Sequence, residues 1–152
     1  MINMKSKVHI KKVESYSIDK IESFVREALT VIDKRGTLFS IGQKVLLKPN
    51  LLRGFGPEHC VTTHPTVVEA MCRVLKDYSI GQITISDSPA LGSLQAVASK
   101  AGYDYLKSKY DVKIIPLTDP IPFENEESIP HLKIAGCLKE FDHIINLSLI
   151  HI

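Results

Sequence analysis

The sequence predicts an α/β fold in three layers, with a mostly parallel sheet and helices on both of its faces. Short runs typical of strands lie at residues 45–47, 83–85 and 112–115, and the first is uniformly apolar, as in a strand that is covered on both faces. The segments between these runs repeat their apolar residues at helical spacing. Strands that alternate with helices run parallel and are joined by right-handed crossovers, so this order predicts the fold class.

The first predicted elements are an edge strand and a helix. Residues 7–13 alternate polar and apolar side chains, which is typical of a strand with one wet face. Ser17 can cap the following helix, and Gly36 can take the left-handed conformation that ends it. The apolar face of this helix is expected in the core and consists of Ile21, Phe24, Val25, Ala28, Leu29 and Ile32.

The middle of the chain contains the best-defined elements. Residues 45–47 are uniformly apolar and are predicted to form a central strand. Pro65 suits the first position of the next helix. After the strand at residues 83–85, Ser93 can cap a third helix and Gly102 can end it.

The pattern weakens after residues 112–115, which are predicted to form another strand. Prolines and acidic residues between 116 and 130 indicate a loop, a short excursion at the edge of the sheet or a small lobe. Residues 132–135 are a candidate short strand, and residues 143–150 form a strong apolar run. Such a strand normally has a loop and a covering helix after it. We therefore expect residues 1–152 to form a single α/β domain that is the N-terminal part of a larger domain, or a truncated reading frame.

Composition argues against several classes of protein. The 152 residues include 19 Lys and Arg and 17 Asp and Glu, and the formal charge of +2 does not favour nucleic-acid binding. No apolar run is long enough to span a membrane, and no secretory signal is recognisable, so the default location is cytoplasmic. The three cysteines, Cys60, Cys72 and Cys137, form no C-x-x-C pair and are expected to be reduced. Iron–sulfur clusters need closely spaced thiolates, so no such cluster is expected in this chain alone.

Polar residues follow two predicted strands at the ends where open α/β sheets bind ligands. Lys48 and Asn50 flank a proline after the first of these strands, and Asp87 follows the second. Lys48 offers a cation to an anion, and Asn50 offers directional donors and an acceptor. Asp87 can bind a ribose hydroxyl, a metal or a substrate amine. In the structural alternative, Lys48 is an ordinary strand-end lysine while Asn50 and Asp87 shape turns.

The residues before the second helix provide a further candidate. The first-turn N–H groups of that helix are free to receive an anion, next to Thr63 and His64. Thr63 or His64 can instead be the cap residue, with Pro65 as the first helical residue. Since His is not a favoured capping residue, His64 is a candidate acid–base group, hydrogen-bond donor or metal ligand. Ser88 has no G-x-S-x-G context, which argues against a nucleophilic role.

These residues give a specific site hypothesis. His64 and Asp87 are the catalytic candidates, and Lys48, Asn50, Thr63 and Ser88 are the ligand-binding candidates.

Metal and nucleotide sites are less favoured. Glu58, His59, Cys60 and His64 include common zinc and iron ligands, but their spacing matches no closed structural site. The loop around Gly54 lacks the phosphate-binding patterns of dinucleotide-binding and P-loop proteins. We assign no metal ligands.

At the candidate site residues the chain resembles the family catalogued as domain of unknown function 362. The matching segments are Lys48-Pro49-Asn50-Leu51, Thr63-His64-Pro65 and Asp87-Ser88-Pro89. The resemblance covers roughly residues 5–150 and implies a longer α/β domain. In the family this domain is often fused to a ferredoxin-like module that binds 4Fe-4S clusters, and no such module occurs in this sequence.

One segment departs from the family pattern. Family members commonly continue from Ile-Asn-Leu-Pro into Leu-Lys-Thr-His, whereas this chain has Ile145-Asn146-Leu147-Ser148-Leu149-Ile150-His151, without that Pro or Lys. We therefore expect this chain to contain an incomplete form of the family's active site.

Together these observations predict that the chain binds a small anionic ligand in a cleft at the carboxyl ends of the strands. Metal-assisted and redox-linked chemistry are both open, and the cofactor is unknown. An iron–sulfur module in the same or another chain is an expected partner, whereas nucleic acid and membrane are not. The alternatives are a non-enzymatic binding or interaction module and a truncated, inactive fragment that self-associates through its exposed last strand.

Overall fold

A computed structural model of the chain describes residues 8–123 and 131–148. Its helices are α1 (Ile18–Ile32), α2 (Pro65–Asp77), α3 (Leu94–Lys100) and α4 (Asp104–Tyr110). Its strands are β1 (Lys44–Pro49), β2 (Gln82–Ile85), β3 (Lys113–Ile114), β4 (Pro120–Pro122), β5 (Lys133–Ala135) and β6 (His143–Leu147). Two short 3-10 helices cover Pro57–His59 and Gly136–Glu140.

The main sheet has four strands in the order β3-β2-β1-β6. Strand β1 pairs parallel with both β2 and β6, and β2 pairs parallel with β3. The predicted α/β fold with a parallel sheet and helices is confirmed. The chain leaves β1 towards β2 on one side and returns to β6 on the other, so β1 and β6 flank a topological switch point.

Strand β1 is central because it is covered on both faces. Val45 and Leu47 belong to the apolar core that the four helices share, whereas Leu46 is not part of that core cluster. All three side chains are 0% exposed. Alternate residues of a strand point to opposite faces, so full burial of three in succession means that both faces are covered.

Helix α2 follows its sequence signals closely, whereas α1 ends differently from the prediction. Pro65 occupies the first position of α2. Helix α1 begins after Ser17, whose side chain makes no capping hydrogen bond, and it ends at Ile32 with Asp33 as its C-cap rather than at Gly36. The carboxylate of Asp33 accepts hydrogen bonds from the backbone N–H groups of Thr37 and Leu38 and thereby shapes the turn.

The prediction of an edge strand at residues 7–13 is wrong for residues 8–13, which form no strand. Residue 7 lies outside the described part of the chain. Val8 and Ile10 are 79% and 86% exposed, so the apolar side chains of this alternating segment do not pack against the sheet. The segment lies along α1 instead, where His9 stacks on Phe24 with 5.5 Å between ring centroids.

The connection from β3 to β6 contains a small two-stranded sheet. Strands β4 and β5 pair antiparallel, which confirms the predicted short strand near residues 132–135 and favours the small lobe among the alternatives. The acidic residues Glu124, Glu126 and Glu127 lie outside the described residues, as do residues 149–152. Helix α4 was not predicted.

Candidate functional site

Lys48 and Asp87 meet at the carboxyl edge of the sheet. The Nζ atom of Lys48 lies 2.7 Å from Oδ1 of Asp87, across the ends of two adjacent parallel strands. The other carboxylate oxygen of Asp87 accepts the backbone N–H of Leu51 at 2.7 Å. The side chain of Asp87 is 9% exposed and that of Lys48 is 39% exposed. Asp87 therefore holds Lys48 and the turn after β1 in place, and Lys48 is the more exposed side chain of the pair.

Asn50 and Thr63 close the loop that connects β1 to α2. The hydroxyl of Thr63 accepts the backbone N–H of Asn50 at 2.9 Å and donates to the backbone carbonyl of Leu147 at 2.6 Å. The side-chain amide of Asn50 donates to the carbonyl of Val61 at 3.0 Å. Thr63 thus ties the carboxyl end of β1 to that of β6, and Asn50 shapes the loop.

His64 caps α2, although His is not a favoured capping residue. Its Nδ1 atom accepts the backbone N–H of Thr66 at 3.2 Å, and its ring stacks on Tyr16 with 3.7 Å between centroids. Burial lowers the pKa of His64 below its ordinary value of 6.5. Because Nδ1 is an acceptor, the proton of the neutral ring lies on Nε2, which can donate to a ligand.

The structure places the other sequence candidates on exposed loops. Ser88 follows Asp87 and is exposed, whereas Ser86 is buried and donates to the carbonyl of Ile115. The Nε2 atom of His59 lies 3.3 Å from Oε1 of Glu58, and both side chains are exposed. Within residues 8–123 and 131–148, no three His, Cys, Asp or Glu side chains converge as metal ligands would.

Two tyrosines that support this edge were missed by sequence reasoning. Tyr16 stacks on His64, and the hydroxyl of Tyr103 donates to the backbone carbonyl of Thr63 at 2.7 Å. Burial also raises the pKa of Tyr103, so it acts as a neutral donor. Both contacts join residues distant in sequence, and no local pattern marks them.

An apolar groove lies between α1 and β6 on the helical side of the sheet. Its volume is about 750 Å³, and its lining includes Tyr16, the residue that stacks on His64. The groove is lined mainly by apolar side chains, among them Phe24, Ala28, Leu29, Ile145 and Leu147. We call this surface the α1–β6 groove.

These features define an open α/β domain whose polar residues gather at the carboxyl edge of a parallel sheet, beside the switch point between β1 and β6. Residues 45–151 match the family model described as "Domain of unknown function (DUF362)". The chain belongs to this family.

A curated relative is longer than this chain. The thylakoid-associated protein of Synechocystis sp. is 31% identical over 144 residues, which are 95% of this chain and 44% of that protein. The chain therefore spans less than half the length of the relative. No solved structure matches the chain. Within the described residues, no helix is both long enough and apolar enough to cross a membrane.

Proposed function

We propose that the chain binds a small anionic ligand at the carboxyl edge of the sheet, through the ammonium group of Lys48 and the Nε2–H of His64. The observation that carries the proposal is the Lys48–Asp87 pair. The Asp87 side chain is 9% exposed, while the Lys48 side chain stays more than one-third exposed. A lysine has three donors, and Asp87 accepts only one of them. The remaining donors have no protein acceptor among the described residues, so they can bind an anion.

The neighbouring helix supports the same ligand chemistry. Helix α2 presents its positive end at His64, and the neutral ring adds a donor without adding a charge. Asn50 and Thr63 make hydrogen bonds within the protein and shape the edge. Ser88, which is exposed on the next loop, is a further donor for the ligand. In this proposal Asp87 is a positioning residue, and His64 is the group that can exchange a proton with the ligand.

Binding of two simple anions tests this proposal. We expect inorganic phosphate or citrate to bind, and Lys48→Met to weaken binding by about tenfold, because a charge-assisted hydrogen bond contributes about 1.5–3 kcal/mol. Lys48→Arg should keep most of the affinity, because it keeps the charge. Isothermal titration calorimetry measures both effects.

Lys44→Met is the matched control, since Lys44 is exposed at the opposite end of the same strand. It should bind like the unmodified protein. An equal loss in both Met variants, or no binding of either anion, would contradict the proposal.

We also propose that the chain forms part of a larger domain and works with an iron–sulfur module in the same or another chain. The support for the larger domain is that the matched region covers only 44% of the relative, whereas the iron–sulfur module is what the family resemblance implies. A non-enzymatic interaction module is the second candidate, and the open α1–β6 groove favours it. An inactive fragment that self-associates through β6 is the third. Co-purification and sizing separate these candidates.

A cytoplasmic location is our proposal for the chain. The name of the relative associates that protein with thylakoids, so peripheral contact with such a membrane is the alternative. Cell fractionation distinguishes the two, because a peripheral protein leaves the membrane fraction when salt screens its charges.

A further inference from the structure

Strand β6 lies at one edge of the described sheet, and its sequence lacks the charged residues and prolines that protect many natural edge strands. Within the described part of the chain, β6 is the last strand of the sheet and pairs only with β1. Its sequence, His-Ile-Ile-Asn-Leu, contains no lysine, no acidic residue and no proline. Natural edges usually carry such residues or a bulge, because a bare edge readily pairs with another strand.

The described residues also leave both faces of β6 partly exposed. On the helical side, Ile145 and Leu147 are only half-buried and line the α1–β6 groove. On the opposite face, Ile144 is 47% exposed, although its partner in β1, Leu46, is 0% exposed. Parallel sheets are normally covered on both faces, so β6 has the character of an interior strand that lacks its next neighbour.

We propose that β6 and the α1–β6 groove receive the remaining part of a longer domain, which adds a strand parallel to β6 and lays an apolar helix face in the groove. This inference rests on the proposal that the chain forms part of a larger domain. The match covers 95% of this chain but only 44% of the relative. More than half of the relative therefore lies outside the matched region. All pairings in the main sheet are parallel, and a parallel strand brings a crossover helix with it.

The added strand would complete the candidate site. Thr63 already bonds to the carbonyl of Leu147 at the carboxyl end of β6. A strand parallel to β6 would end at the same edge of the sheet, so the loop that follows it would lie beside Thr63 and His64. The remaining part of the domain would therefore contribute residues to the same edge of the sheet as Thr63 and His64.

A second copy of the chain is the competing occupant. A two-fold axis would pair β6 antiparallel with its copy and bring the two grooves together. This arrangement covers the same apolar surface, but it places the carboxyl ends of the paired β6 strands at opposite edges. It would add no strand end beside His64.

Co-expression tests the proposal. The 152-residue chain is produced with a tagged polypeptide that comprises the part of the Synechocystis relative outside the match. We expect the two to co-purify in a 1:1 ratio, with slowed amide hydrogen exchange in β6. Ile144→Glu and Ile145→Glu should each reduce the recovered complex at least tenfold, because either buries an unpaired charge.

Leu91→Glu is the matched control, since Leu91 is 58% exposed and lies outside the groove. It should co-purify normally, and thermal melting of the free variants shows that each is folded. The proposal is overturned if no complex forms, or if Leu91→Glu disrupts it equally. It is also overturned if the chain alone is a dimer that Ile144→Glu dissociates. Phosphate binding by the free chain is measured separately, so failure of this inference leaves the anion-binding proposal to its own test.

Discussion

At the scale of single residues, the structure assigns different roles to the two side chains that were predicted to be catalytic. Asp87 uses one oxygen for Lys48 and the other for the backbone of Leu51, and it is nearly buried. Among the described residues, His64 makes its side-chain hydrogen bond through Nδ1, and its ring stacks on an exposed tyrosine. The sequence could place both residues at strand or helix ends, but it could not show which of their polar atoms already have partners.

Asp87→Ala is expected to destabilise the fold by about 2 kcal/mol, because it leaves the buried N–H of Leu51 and the ammonium group of Lys48 without their acceptor. Urea denaturation measures the free energy of unfolding. Ser88→Ala, at the exposed neighbouring position, should change it by less than about 0.5 kcal/mol. If Asp87→Ala unfolds at the same urea concentration as the unmodified protein but no longer binds phosphate, Asp87 contacts the ligand directly.

The lowered pKa of His64 predicts a pH dependence of stability. As the pH falls below about 6.5, the unfolded chain takes up a proton on this residue before the folded chain does. Stability contributed by the neutral ring is therefore lost from that pH downwards, until the folded ring also titrates. His64→Asn keeps a side-chain acceptor for the helix cap and should remove this part of the pH dependence. Thermal melting between pH 7 and 5 provides the measurement, and identical slopes for both proteins would contradict the assignment.

At the scale of elements, a buried carboxylate joins α2 to α4. Glu69 of α2 accepts hydrogen bonds from Lys109 and Tyr110 on one oxygen and from Tyr105 on the other, at 2.7–2.8 Å. Burial raises the pKa of Glu69, but these hydrogen bonds outweigh it and hold the pKa below its ordinary value of 4.5. Together with the burial of Leu106, the network fixes the short helix α4.

Glu69→Gln is expected to lower the free energy of unfolding by about 2 kcal/mol at pH 7, because hydrogen bonds to a charged acceptor become bonds to a neutral one. The folded pKa is depressed, so the contribution of Glu69 is present above about 4.5 and is lost as the pH falls further. The difference between the two proteins should therefore shrink at pH 3. Glu58→Gln, at an exposed loop position, is the control. A difference that does not depend on pH would contradict this account.

Elements with two independent signals were predicted well. Helix α2 has both a proline start and an apolar face, and β1 has both apolar residues and polar flanks. Residues 8–13 had only an alternating pattern, which does not specify a partner strand, and they form no strand. Helix α4 is short, and its position depends on Leu106, Tyr103 and the Glu69 network rather than on local signals. Tertiary contacts decide such elements.

At the scale of the whole molecule, the order of the strands determines where the candidate site lies. The sequence predicted parallel strands, but it could not show that β6 returns to the side of β1 opposite β2. This return creates the switch point and brings the carbonyl of Leu147 to Thr63. It also leaves β6 at the edge with an open groove beside it. Strand order depends on long-range pairing, which local periodicity does not encode.

The most direct test of anion binding at the carboxyl edge is a ¹H–¹⁵N chemical-shift titration of the chain with inorganic phosphate. We predict that the largest shift changes occur at Lys48, Asn50, His64, Thr66 and Ser88, and that they saturate with a common dissociation constant. Lys44, at the opposite end of β1, should not respond. Changes confined to other surfaces, or equal changes at both ends of β1, would contradict the claim that this edge is the binding site.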